Sequence, residues 1–233
     1  VAIGHGALYS QNFATATDGF NTAVGHFAGG AVTTGVQNTL IGGLAGDALT
    51  DSDENVAVGY GALSLDTLGK YSVAIGRNAL TAQNFSTATA TGNTAVGYLA
   101  GTEVTTGISN TLIGSTAGDA LTDADDNTAV GTFALGVDTL GSRSTAIGRG
   151  ALANQNFTTA TNALNTAVGY NSGASVTTGI DNTLIGGLTG DAITTGHSNV
   201  AIGFSAMGSQ TTASENVAVG RDALVSNLTG TGL

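Results

Sequence analysis

The sequence predicts an all-β fold, a parallel β-roll or β-solenoid of stacked coils, and two observations carry that reading. One short phrase returns thirteen times in 233 residues, and its returns keep a fixed period. The phrase is a polar residue, two or three β-branched or small apolar residues, then glycine, as in NTAVG, NTLIG, NVAVG and SVAIG. Its closing glycines are Gly4, Gly25, Gly42, Gly59, Gly76, Gly97, Gly114, Gly131, Gly148, Gly169, Gly186, Gly203 and Gly220. The spacings run 21, 17, 17 and 17 residues and then start over, so the coils form a 72-residue unit repeated three times. Repeats of this kind stack only on their neighbours, and none can bury its apolar face alone. The array runs without interruption, which predicts a single repetitive segment over 1–233. The first phrase lacks its polar residue and the last coil trails into Thr229-Gly230-Thr231-Gly232-Leu233, so the segment reads as a fragment of a longer fibre.

Composition narrows the function classes. Charged residues make up 9% of the chain, with 16 acidic against 5 basic and a formal charge of −11. A phosphate backbone needs a basic stripe, so nucleic acid is not an expected partner. No apolar run is long enough to span a bilayer, and no membrane insertion is expected of this segment. Cysteine is absent, which removes disulfides and thiol chemistry. The 37 glycines fall on the repeat grid among β-branched residues and read as turn positions, not as a flexible linker.

Within the coil Asn21 to Gln37, strand period two puts Thr22 and Val24 on one face and Ala23 on the other. The place of Val24 is always Val or Ile and that of Thr22 is mostly Thr or Val, so the reading sets these stiff residues as a ladder facing a narrow interior. The middle place is Ala in most coils and Leu once per unit. Pointing away from the coil, it would want a second surface to cover it. The expected seam between subunits is therefore Ala23, Leu40, Ala57, Ala95, Leu112, Ala129, Ala167 and Leu184. The alternative is that this small face meets the opposite wall of the same coil. After the glycine, a small residue (Ala28, Ala45, Ala62, Ala79, Ala100) precedes a place that alternates by pairs, Gly29 and Gly46 followed by Leu63 and Leu80. This reads as a tight turn into a second strand such as Val32-Thr33-Thr34, closed by Gly35 or Gly69.

Three sets of residues stand out against that grid. The 21-residue coils carry Gln-Asn-Phe inserts, with Phe13, Phe85 and Phe157 either extruded toward a sugar or partner, or tucked back over the roll. Acidic turns recur as Asp51, Asp53 and Glu54, then Asp123, Asp125 and Asp126. Clustered carboxylates suit calcium, but Thr195, His197 and Ser198 replace them in the third unit, which favours solvated loops and no bound metal. The place just after the phrase glycine holds His5, His26, Tyr60, Arg77, Tyr98, Arg149, Tyr170, Phe204 and Arg221, residue types that interfaces favour. The three histidines share no catalytic arrangement with a serine and an acid, so no enzyme is expected and no cofactor is implied.

Phrases such as Asn93-Thr94-Ala95-Val96-Gly97 and Ser72-Val73-Ala74-Ile75-Gly76, followed by an Ala-Gly or Ala-Leu turn, resemble the head repeats of YadA-type trimeric autotransporter adhesins. They are also similar to the TAVG-repeat shafts of phage tail fibres, and the resemblance covers essentially the whole chain. It implies a left-handed parallel β-roll, the phrase as inner strand, and three chains packed around one axis. It also implies an extracellular setting, on a bacterial surface or a virion tail fibre, and a structural or adhesive part in attachment to a host or surface. The partners implied are two further copies of the chain and a host-surface glycan or protein receptor. Adhesin-head coils are shorter than 17 residues, so longer outer turns are expected here. Competing readings are a glycan-binding solenoid acting through its exposed loops, a polysaccharide-degrading tailspike, and an ice-binding threonine array, which the sparse Thr-Ala-Thr inserts support poorly.

Overall fold

The computed structural model describes residues 1–226; the trailing end at Thr229 to Leu233 lies outside the described residues. Thirteen short strands, from Ala2–Ile3 and Thr22–Val24 to Val217–Val219, form one parallel sheet in which each phrase pairs with the phrase of the next coil. Thr22, Ala23 and Val24 lie opposite Thr39, Leu40 and Ile41. The register survives the longer coils, where Val73, Ala74 and Ile75 lie opposite Thr94, Ala95 and Val96. At about 4.8 Å per strand the stack is a rod roughly 60 Å long. The β-solenoid of about thirteen coils is thus the fold of the chain.

The extra residues of a 21-residue coil are spent on the far side from this sheet. There Thr89–Ala90 pairs with Gly69–Lys70, and Thr161–Asn162 pairs with Gly141–Ser142. Elsewhere on that side the expected second strand does not form. The N–H groups of Thr33 and Gly35 both donate to the carbonyl of Thr50, at 3.0 and 3.2 Å, so the bonds converge instead of alternating along a ladder.

The faces of the phrase are inverted relative to the sequence reading. Ala23, Leu40, Ala57, Ala95, Leu112, Ala129, Ala167 and Leu184 have no exposed surface and line the chain's own interior. Their neighbours Thr22, Val24, Thr39 and Ile41 point outward. The closing glycine shows how closely the coils stack. Gly25 has φ of 141°, and a Cβ there would lie 2.5 Å from the carbonyl oxygen of Gly42. No side chain fits between this place and the next coil, and the choice of face is made by volume, because the interior holds Leu40 where Gly29 and Gly46 leave it room.

Volume in this interior is exchanged between two places. Where the middle of the phrase is Leu40, the facing turn positions are Gly29 and Gly46, and a Cβ at either would meet Leu40 at 2.6 or 2.8 Å. Where the middle is Ala57 or Ala74, the same turn place carries Leu63 or Leu80, both fully buried. Glycine is not needed there for conformation alone, since Leu63 and Leu80 hold the same left-handed φ, 54° and 50°, as Gly29 and Gly46, 59° and 55°. Each such leucine costs roughly 1–2 kcal/mol of backbone preference, which burial of its side chain offsets.

The opposite corner of the interior is polar. The Asn21 Oδ1 accepts from the Asn38 N–H at 2.8 Å, Asn38 Oδ1 accepts from the Asn55 N–H at 3.0 Å, and Asn55 Oδ1 accepts from the Ser72 N–H at 2.9 Å. Each amide also spans the coil, Asn38 Nδ2 donating to the Ser52 carbonyl at 2.7 Å. These side chains are buried and satisfied, so they close backbone groups that the turn would otherwise strand.

Candidate functional site

The far-side phenylalanines belong to the structure of the long coils. Phe85 and Phe157 are only 7% and 6% exposed, and a Cβ at Gly141 would lie 2.8 Å from the Phe157 ring. Each ring therefore lies back over the preceding coil, the second of the two arrangements the sequence left open, and Phe13 is half-buried. Beneath them sits a buried carboxylate that the sequence reading did not single out. Asp66 Oδ1 accepts from the N–H groups of Gly69 and Phe85 at 3.0 and 3.2 Å, and its Oδ2 accepts from Gln83 Nε2 at 2.6 Å. Gln83 Oε1 in turn accepts from Asn93 Nδ2 at 2.9 Å, which carries the asparagine column across the serine at position 72. Asp138, Gln155 and Asn165 repeat the arrangement one unit later. This network was legible only as a coincidence of spacing: Asp66 precedes Gln83, and Asp138 precedes Gln155, by one coil of 17 residues.

The acidic turns are cross-links between coils. Asp51 accepts from the Thr34 hydroxyl at 2.7 Å, Asp53 accepts from the Val36 N–H at 2.9 Å and pairs with Lys70 at 2.5 Å. Asp123 and Asp125 repeat these contacts with Thr106 and Ile108 at 2.7 and 2.8 Å, and Asp126 pairs with Arg143 at 3.5 Å. Glu54, exposed, holds the turn at φ of 57°. Among the described residues no three His, Cys, Asp or Glu side chains converge as metal ligands. A different trio stands apart: burial pushes the carboxyls of Asp47, Asp119 and Asp191 above their ordinary value, against a smaller lowering by a backbone hydrogen bond. One oxygen each of Asp47 and Asp119 is buried without a hydrogen-bond partner.

Two exposed surfaces remain. One is the outer face of the sheet, where the first and third places of every phrase stand in two columns. Its third-place isoleucines Ile41, Ile113 and Ile185 are 38–39% exposed. The other is the column after the phrase glycine, at the sheet's edge. Here the structure pairs residues that the sequence only aligned. The Arg77 guanidinium lies over the Tyr98 ring at 5.9 Å, Arg149 over Tyr170 at 5.8 Å, and Arg221 over Phe204 at 5.5 Å. His5 stacks on His26 at 5.4 Å, and Phe27 stands edge-on to both. Tyr60, Tyr98 and Tyr170 are about half exposed.

The outward columns were missed as a surface because strand periodicity gives two faces without saying which is inside. One trace of it was in the sequence: Leu40 co-occurs with Gly29 and Gly46, and Ala57 with Leu63, a pattern whose meaning shows only once these places are seen to share one interior. Compared with known proteins, the chain matched no family model, no curated protein and no solved structure.

Proposed function

We propose that this chain is a structural and adhesive segment of an elongated, trimeric surface fibre, a cell-surface adhesin or a phage tail fibre, that serves attachment to a host or surface outside the cell. The observation that carries this reading is the outer face of the sheet. Thirteen coils present β-branched residues there in two unbroken columns, and an apolar strip running the length of a rod calls for a cover. A second and third copy of the same chain supply it, because identical coils offer identical spacing. The likeness of the phrases to adhesin-head and tail-fibre repeats supports the number three. The seam is thus assigned to the columns of Thr94 and Val96, Thr111 and Ile113, not to the alanines and leucines between them. No catalytic role is proposed for any residue.

Light scattering tests this directly. The wild-type chain is expected at about three times its 22.6 kDa, and Ile113→Lys with Ile147→Lys is expected to give a monomer with unchanged β circular dichroism. A wild-type monomer overturns the fibre reading.

A further inference from the structure

We propose that the Arg–Tyr column at the sheet's edge is a binding track for a linear acidic polysaccharide, the arginine of each pair taking the carboxylate of one sugar and the free face of its tyrosine taking a neighbouring sugar of the same chain. The first ground is charge. The chain has five cations, and three of them are ion-paired: Lys70 with Asp53, Arg143 with Asp126 and Arg221 with Asp222. The other two, Arg77 and Arg149, form no ion pair with any described residue. Both are exposed and both are in this column. In a chain of net charge −11 that is where an anion finds an unshared guanidinium, with the geometry for a bidentate carboxylate. The nearest acids along the chain after the column are Glu103, five residues past Tyr98, and Asp119 and Asp191, four residues past Ser115 and Gly187, and none of them is ion-paired with either arginine.

The second ground is ring geometry. Each arginine covers one face of the tyrosine in the next coil. The coil after that tyrosine carries Ser115 or Gly187 in the same column, and no described aromatic ring stacks on Tyr98 or Tyr170. The free face of an electron-rich ring suits the C–H face of a pyranose. The third ground is period. The two pairs lie 72 residues, or four coils, apart, roughly 19 Å along the rod. Binding a second sugar of the same polymer then becomes intramolecular, which raises affinity without any new kind of contact.

The experiment measures binding of the intact chain to polygalacturonate and to neutral dextran, with light scattering on the same samples. Polygalacturonate is expected to bind and to weaken as salt rises, and dextran is expected not to bind. Arg77→Gln with Arg149→Gln is expected to weaken binding at least tenfold. So is Tyr98→Ala with Tyr170→Ala. Lys70→Gln with Arg143→Gln removes the same net charge elsewhere and is expected to leave binding within about twofold. No binding to polygalacturonate, equal binding to dextran, or equal losses in the two arginine and lysine doubles overturns the track. So does a fall in mass of the Arg77→Gln, Arg149→Gln variant, which would place the column in a subunit contact. A wild-type trimer that ignores polygalacturonate sinks the track and leaves the fibre reading standing, whereas a monomer that binds it does the reverse.

Discussion

The interior of the roll has an apolar corner and a polar corner, and they are specified in different ways. In the apolar corner, Leu40 faces Gly29 and Gly46 while Ala57 and Ala74 share their space with Leu63 and Leu80. What is held constant is total volume, and the residue at either place is free to change if the other answers. In the polar corner, nothing is exchanged so loosely. Asn21, Asn38 and Asn55 each use their oxygen on a backbone N–H of the next coil and their amide on a backbone carbonyl of their own coil. Where Ser72 interrupts the column, three residues, Asp66, Gln83 and Asn93, are recruited to close it. Packing tolerates substitution within a sum, whereas a buried hydrogen-bond network tolerates it only if every donor and acceptor finds a new partner.

The largest expected effect breaks the polar corner. Asp66→Ala strands the N–H groups of Gly69 and Phe85 and the amide of Gln83. A loss of at least about 3 kcal/mol is expected, since each of three buried donors left without its acceptor costs about 1–3 kcal/mol, and urea unfolding would read it as a lower midpoint. A loss below about 1 kcal/mol would mean that water replaces the carboxylate and that the two corners are not specified differently.

The next sharpens the apolar side. Leu112→Ala alone is expected to cost about 2–5 kcal/mol, and Gly101→Leu alone about 1–3 kcal/mol, because a Cβ at Gly101 already meets Leu112 at 2.6 Å. Combined, the two changes recreate the Ala and Leu arrangement of neighbouring coils, and the double variant is expected to be more stable than the sum of the single losses by at least about 1 kcal/mol. Strict additivity in the double-mutant cycle would refute volume exchange.

The smallest effect concerns Asp47, Asp119 and Asp191, which lie between the two corners in sequence. Burial raises their carboxyls in the folded chain. The folded state therefore binds their protons more tightly than the unfolded state does. Their contribution to stability is full below the unfolded carboxyl value near 3.8 and is lost as pH rises through the folded value. Thermal melts of Asp47→Asn are expected to lose part of the gain that the wild type shows on mild acidification. An identical pH profile in the two proteins would remove Asp47 from the account.

Stack and site were legible to different depths. The phrase, its 72-residue unit and its β-branched columns fix a parallel stack of coils, because only in-register stacking lets identical phrases pair throughout. The arginines and tyrosines of the post-glycine column were visible as aligned, and their pairing follows once adjacent coils are known to stack in register. The phenylalanines and acids were legible as repeated features but not as contacts, since whether Phe157 points out or lies over the preceding coil depends on the space left at Gly141. Linear order alone thus determined the coil, its period and its acidic, cysteine-free character. Only the tertiary structure decided which face of a three-residue strand is inside. Alternation defines two faces equally well, and the choice is made by packing: Leu40 fills the space that Gly29 and Gly46 leave, and Leu63 and Leu80 fill it where the strand carries Ala57 and Ala74.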